Sequence, residues 1–195
     1  SIKISGSTGV VTLGDGKNTF AASSVVGGLS GGAGDDNFKV TGDVTGNAQL
    51  GDGRNTYTGS AVSGNLTGGT GDDNFKLSGN VIGNVLLGAG RNTLVAADVG
   101  SVTAGLGDDT VTAANVGATN LGDGNNKLTV SGNAGVITLG IGNDTVSIGA
   151  LGQGNINLGD GTNKLTNGSG VTGSISAGAG NDSVTLKGSV VGSVA

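Results

Sequence analysis

Apolar and polar residues alternate along this chain in short runs that return at a nearly fixed interval. Val11 and Leu13, Ala48 and Leu50, Val85 and Leu87, Ile137 and Leu139, and Ile156 and Leu158 each flank one polar or variable residue. A period of two predicts a strand with one buried face. A second pair follows in each interval, as in Phe38 and Val40, Phe75 and Leu77, Val146 and Ile148, and Val184 and Leu186. A single apolar residue comes next: Val44, Val62, Val99, Val116, Val171 and Val190. The pattern predicts two strands per interval, a third very short one, and a corner between the first two.

That corner is a glycine-x-glycine turn. Its first glycines are Gly14, Gly32, Gly51, Gly69, Gly88, Gly105, Gly122, Gly140, Gly159 and Gly178, spaced 17 to 19 residues apart. No single interval can bury its own apolar face, but stacked intervals bury a continuous one. The expected fold is all-β: a single parallel β-solenoid of about ten coils of 17–19 residues, with glycine-rich turns along one edge. At ~4.8 Å per coil the rod is on the order of 50 Å long. Right-handed coiling is expected from the crossover preference of parallel sheets. Residues 1–195 read as one solenoid repeat domain. The chain starts in mid-pattern at Ser1, as an excerpt or subunit of a longer stack would. Phe20, Phe38, Tyr57 and Phe75, all the aromatics present, fall on one inward position that continues as Leu94, Val111, Leu128, Val146, Leu165 and Val184. They are therefore expected to stack in the core.

Composition narrows the function. Glycine is 44 of 195 residues and proline is absent; with no glycine at every third position, a collagen helix is excluded. The net charge of −5 argues against nucleic acid and anionic membranes as partners. No apolar run approaches the ~20 residues of a membrane span. There is no His, Cys or Glu, and Ser and Thr have no base beside them, so no catalytic constellation can be assembled and an enzyme is not expected.

All fourteen acids are Asp, and twelve lie in the corners; Asp43 and Asp98 are the exceptions. The corners come in two alternating kinds. One reads Gly-Asp-Gly-x-Asn, with Asp15, Asp52, Asp123 and Asp160; Ala89 replaces the acid in its fifth member. The other reads Gly-x-Gly-[Asp/Asn]-Asp and ends on Asp36, Asp73, Asp109, Asp144 or Asp182. The true repeat is thus about two coils.

Gly31-Gly32-Ala33-Gly34-Asp35-Asp36-Asn37-Phe38-Lys39 resembles the nonapeptide G-G-x-G-x-D-x-U-x of repeats-in-toxin (RTX) proteins, and Gly68 to Lys76 resembles it again. The usual RTX roll carries two such turns per coil. Here the opposite corner is only Val-x-Gly-x-apolar, so the chain is closer to the one-sided solenoids of giant bacterial adhesins, with a ~19-residue coil. The resemblance implies Ca²⁺ as cofactor, bound by turn Asp side chains and glycine carbonyls between neighbouring coils. It also implies type I secretion and an extracellular or cell-surface location on a bacterium.

Physical arguments run both ways on the metal. Ca²⁺ takes six to eight oxygens, and Asp residues from adjacent coils with exposed turn carbonyls would supply them. On this reading the candidate ligands are Asp15, Asp36, Asp52, Asp73, Asp109, Asp123, Asp144, Asp160 and Asp182. Against it, the position three after the first glycine runs Lys17, Asp35, Arg54, Asp72, Arg91, Asp108, which neutralises charge without a metal. The corner asparagines Asn18, Asn55, Asn92, Asn126 and Asn163 can bond between coils as polar ladders do. Beyond Asp108 the cations disappear, so the half containing Asp123, Asp144, Asp160 and Asp182 is expected to be the stronger metal site.

The leading expectation is therefore a secreted structural solenoid: an adhesin stalk, surface-layer segment or extracellular filament. Its partners would be flanking repeats or copies of itself, end to end. The alternative is an ice- or surface-binding solenoid using the outward row Thr112, Thr129, Ser147, Thr166 and Thr185.

Overall fold

The structure, a computed structural model, describes residues 1–151 and 154–195 and is all-β, a parallel β-solenoid of about ten coils. Each coil contributes to three parallel ladders, because each apolar group of the sequence becomes one wall. The first wall runs through Val11–Thr12, Leu29–Ser30, Ala48–Gln49, Leu66–Thr70 and onward to Ile175–Ser176. The second runs through Thr19–Ala22, Asn37–Val40, Thr56–Gly59, Asn74–Leu77 and onward to Ser183–Leu186. Its N-terminal edge is the strand Ile2–Lys3. The third wall is shallow, often a single bridge per coil: Val25 to Val44, Val44 to Val62, Val62 to Val81, and Val171 to Val190.

Register is set by the pleat. A slip of one residue would turn each buried side chain outward, and the registry carries the expected inward column. Phe20 pairs with Phe38, Phe38 with Tyr57, Tyr57 with Phe75, and Phe75 with Leu94. The column continues through Val111, Leu128, Val146 and Leu165 to Val184. All four aromatics are buried, as are Val44, Val62, Val81, Val85, Leu87 and Leu121 from the other walls. One core therefore runs the length of the rod.

Two details of this core matter below. The Tyr57 hydroxyl is buried with no hydrogen-bond partner, and burial pushes its pKa up. A Cβ on Gly59 would lie 2.7 Å from that hydroxyl, so the ring of Tyr57 fills the space that Val40 and Leu77 use on the coils either side. At the C-terminal end, Val184, Leu186 and Val190 are only partly covered, whereas Leu165 and Val171 one coil earlier are buried.

Candidate functional site

The glycine corner interrupts the strand ladder, so its amides need acceptors that the neighbouring backbone does not supply at every position. The second glycine has positive φ in every coil, from Gly16 to Gly180, a conformation costly for other residues. A Cβ there would press on the glycine carbonyl of the preceding coil in most coils, as at Gly34 on Gly16 (2.7 Å). The glycines permit the tight stack, and the polar residues between and after them satisfy it.

Three tracks of side chains do this. The innermost lies four residues after the first glycine and reads Asn18, Asp36, Asn55, Asp73, Asn92, Asp109, Asn126, Asp144, Asn163, Asp182. The alternation is complete. Each residue's amide donates to the side-chain oxygen of the residue on the following coil. The Asn18, Asn55, Asn92, Asn126 and Asn163 amides reach Oδ1 of Asp36, Asp73, Asp109, Asp144 and Asp182 at 2.7–2.8 Å. The amides of Asp36, Asp73, Asp109 and Asp144 reach Oδ1 of Asn55, Asn92, Asn126 and Asn163 at 2.9 Å. The track is inside the rod: Asp36 is 2 % exposed and Asp109 0 %. Asp182, on the last coil, is half-buried.

Asn and Asp use their second atom differently. The Asn55 Nδ2 donates to the carbonyls of Gly51 (2.8 Å) and Gly53 (3.2 Å) in its own turn, and Asn126 does the same with Gly122 and Gly124. In the Asp coils that atom is an oxygen and cannot donate while ionised. The turn changes shape accordingly. The first glycine of the inner Asn coils has positive φ (Gly51, Gly88, Gly122, Gly159), whereas Gly32, Gly69, Gly105 and Gly140 of the inner Asp coils do not; the last coil departs, with positive φ at Gly178 beside Asp182. In one Asp coil the Gly69 amide reaches Oδ2 of Asp73 at 3.3 Å. Oδ2 of Asp36, Asp109 and Asp144 is buried without a partner. Burial pushes the Asp73 and Asp109 carboxyls up to about 6, partly opposed by the amide bonds from Asn55 and Asn92, and raises Asp144 likewise.

The two outer tracks are exposed. Between the glycines, Asp15, Asp52, Asp123 and Asp160 each accept the amide of the next coil, from Ala33 (2.9 Å), Thr70 (3.0 Å), Ile141 (2.9 Å) and Ala179 (2.8 Å). The Thr70 hydroxyl adds a bond to Asp52, and the two together hold that carboxyl below its usual range. Three residues after the first glycine, Asp35, Asp72 and Asp108 accept the amides of Arg54, Arg91 and Asn125. Beyond Asp108 the same bond passes from Asn125 to Asn143 and on to Thr162. Arg54 and Arg91 both approach Asp72, at 3.7 and 3.9 Å. The charge alternation expected in this half thus exists, although these exposed pairs are worth little beside the amide bonds.

The nine candidate ligands therefore divide. Asp36, Asp73, Asp109 and Asp144 point inward, with Asp182 on the same track, and Asp15, Asp52, Asp123 and Asp160 point to solvent. Inner carboxylates recur only on alternate coils, ~9.6 Å apart, each with one oxygen held by an amide. Among the described residues, no three acidic side chains gather where they could hold an ion. The corner closes through its own side-chain-to-amide bonds. The fold and corner define a β-solenoid repeat protein. Compared with protein-family models, with curated proteins and with solved structures, the chain matches none.

The asparagines carry as much of the corner as the acids do, and the sequence reading had kept the two apart. The signal was present: a strict Asn/Asp alternation at one offset from the first glycine.

A raised carboxyl pKa means that the folded chain binds the proton more tightly than the unfolded chain. That contribution is whole below pH ~3.8 and is lost as pH rises through about 6. Thermal melts from pH 4 to pH 7.5 should show Tm falling to a plateau above pH ~6.5. Replacing Asp73, Asp109 and Asp144 together with Asn should flatten that slope. It should also stabilise the fold at pH 7.5 by on the order of 1 kcal/mol at Asp109 and Asp144, where a buried charge with an unpartnered oxygen is removed, and by less at Asp73, whose Oδ2 accepts a Gly69 amide that Nδ2 cannot accept. A triple variant that keeps the slope and melts lower would overturn this account of the carboxyls.

Proposed function

We propose that this chain is a non-catalytic structural rod: a segment of a bacterial extracellular stalk, surface layer or filament, held at its corner by Asn/Asp ladders rather than by calcium. The observation that carries the reading is the inner track, in which nine of the ten side chains, Asp36 to Asp182, accept the amide of the preceding coil. The acids form a lattice along the rod and do not converge on a substrate. Location outside the cell rests on the resemblance of Gly31–Lys39 and Gly68–Lys76 to repeats-in-toxin turns. Among the described residues, no helix is long and apolar enough to cross a membrane.

On this reading the chain folds alike in EDTA and in millimolar Ca²⁺. Circular dichroism melts in the two buffers should give the same Tm within a degree or two. A coil that forms only with Ca²⁺ would replace the ladder account with a calcium-gated one.

The rod works by stacking end to end. Val184, Leu186 and Val190 on the last coil are half-covered where their inner counterparts are buried, and further coils, of this chain or of another copy, would cover them. Sedimentation velocity should show elongated particles whose length grows with concentration. Leu186→Lys, which puts a charge on that end, should hold the protein at a single short length.

A second reading is favoured by one observation. Thr112, Thr129, Ser147, Thr166 and Thr185 are consecutive partners in one ladder, a regular hydroxyl row on the outer face of the second wall. Such a row suits a repetitive surface such as ice. Ice-recrystallisation inhibition that disappears in Thr129→Lys/Thr166→Lys would support it, and no inhibition by the parent protein would leave the plain rod.

A further inference from the structure

The same outward row of the second wall that carries Thr112 and Thr129 is basic in its N-terminal stretch, which Val95 joins to the hydroxyls. Lys3 pairs with Ala21, Ala21 with Lys39, Lys39 with Thr58, and Thr58 with Lys76. The three lysines therefore stand on one line at every second coil, ~9.6 Å apart. All three are exposed, and none forms an ion pair among the described residues. The strands of this wall from Thr19 to Leu77 contain no acid. The acids nearest in sequence, Asp36 and Asp73, are buried on the inner corner track, and Asp43 lies beyond the strand end with Oδ1 on the Ala61 amide.

Between the lysines the surface sinks. A depression of about 270 Å³ lies between Lys3 and Lys39, over Ala21 and Ala22 and edged by Ser23 and Thr41. A second, of about 330 Å³, lies between Lys39 and Lys76, over Thr58 and Gly59 and edged by Thr41 and Ser78. Lys39 and Thr41 belong to both. Gly59 itself faces the core, where the Tyr57 hydroxyl sits in the place of its Cβ, so the second depression owes its floor to the short outward Thr58 between Lys39 and Lys76, with Val95 at its far end. Short outward residues, Ala21 and Thr58, thus lower the surface twice, two coils apart, each time between a pair of lysines and a set of hydroxyls.

We propose that these tandem depressions bind an extended acidic polysaccharide, one carboxylate per lysine, with the chain lying along the rod. Two adjoining sites that share a lysine suit a ligand that continues from one into the next. Narrow floors of short residues edged by Ser and Thr suit a slender hydroxylated chain. Lysine meets a carboxylate as a point charge and does not demand a fixed two-pronged geometry. The spacing of the row is close to the advance of two sugars in an extended chain. A nucleic-acid strand is a poorer fit, since all the aromatics are buried and none faces outward to stack its bases. A second copy is also a poorer fit: its cation-free corner offers two exposed carboxylates at the spacing of the row, Asp123 and Asp160, against three lysines, and its corner in the other half interleaves Lys17, Arg54 and Arg91 with the acids.

The test is titration of the full chain with polygalacturonate by calorimetry, with neutral dextran alongside. Polygalacturonate should bind, more weakly as salt rises, and dextran should not. Lys39→Gln removes the charge common to both depressions and should weaken binding by about tenfold or more. Lys3→Gln and Lys76→Gln should each cost less. Lys127→Gln and Lys164→Gln, on the same wall but off this row, should change little. Circular dichroism of each variant checks that it folds, and Thr58→Leu, at the outward position between Lys39 and Lys76, offers an uncharged test that fills the floor of one depression only. Equal losses for Lys39→Gln and Lys127→Gln would overturn the proposal, as would equal binding of dextran or no binding of polygalacturonate. Loss of self-association in Lys39→Gln without loss of polymer binding would assign the row to a second copy and overturn it as well.

Discussion

The constraint on which this fold depends is the supply of acceptors to turn amides. Strand amides in a parallel stack find carbonyls one coil away without help. At the corner, two glycines turn the chain sharply and backbone partners are lost at the positions between and after them. A buried amide left without a partner costs as much as a lost hydrogen bond. The chain answers by placing short side-chain oxygens next to these amides, from a neighbouring coil along the ladders and from the same coil at Gly69, Gly122 and Gly159. Asp and Asn suit this because their oxygen lies close to the backbone; Glu would overshoot, and the chain has none. The same device recurs away from the glycine corner, where Asn47 accepts the Asn65 amide and Asn65 accepts that of Asn84.

A ladder made only of Asp would be intolerable in the interior. Successive carboxylates would lie one coil apart in a low-dielectric setting and would repel strongly. A ladder made only of Asn would need every turn to present inward carbonyls for Nδ2. Alternation resolves the first problem by doubling the separation of the charges. It also explains why the first glycine adopts two conformations in turn, positive φ at Gly51 and Gly88 but not at Gly69 or Gly105. The two-coil repeat of the sequence is thus an electrostatic repeat written into a one-coil geometry. The remaining cost is visible in the unpartnered Oδ2 atoms of Asp36, Asp109 and Asp144, and the raised carboxyls at Asp73 and Asp109 show how a proton relieves it.

The walls were legible in the sequence because they depend on period-two burial alone. Phe20, Phe38, Tyr57 and Phe75 fall into one column at the positions the spacing requires. The corner was half legible. The repeat located the acids, but their direction depends on one offset: Asp35 and Asp36 are neighbours in sequence, yet one faces water and the other is 2 % exposed. Grouping Asp36 with the outward acids followed from counting acids per turn; seeing it as one rung of a ladder with Asn18 and Asn55 requires comparing the same offset across coils. The depressions on the second wall were not legible, because they arise where the short outward residues Ala21 and Thr58 fall between lysines of neighbouring coils, which only the register shows.

The two-coil period has a consequence beyond the corner. Once the repeat doubles, every outward position can also differ between odd and even coils at no cost to the core. Lys3, Lys39 and Lys76 use one phase of that freedom, while Ala21 and Thr58 occupy the other. Asp15 and Asp52 use it on the corner, with Ala33 and Thr70 between them. A one-coil repeat carrying Lys at each rung would place ammonium groups ~4.8 Å apart and repel itself. Doubling sets like charges ~9.6 Å apart, near the screening length of physiological salt. The row can then be dense enough to meet a polymer and sparse enough to leave the stack stable. Spacing chosen by the buried carboxylates is in this way handed to the surface, and the rod's outer charges inherit the rhythm of its interior.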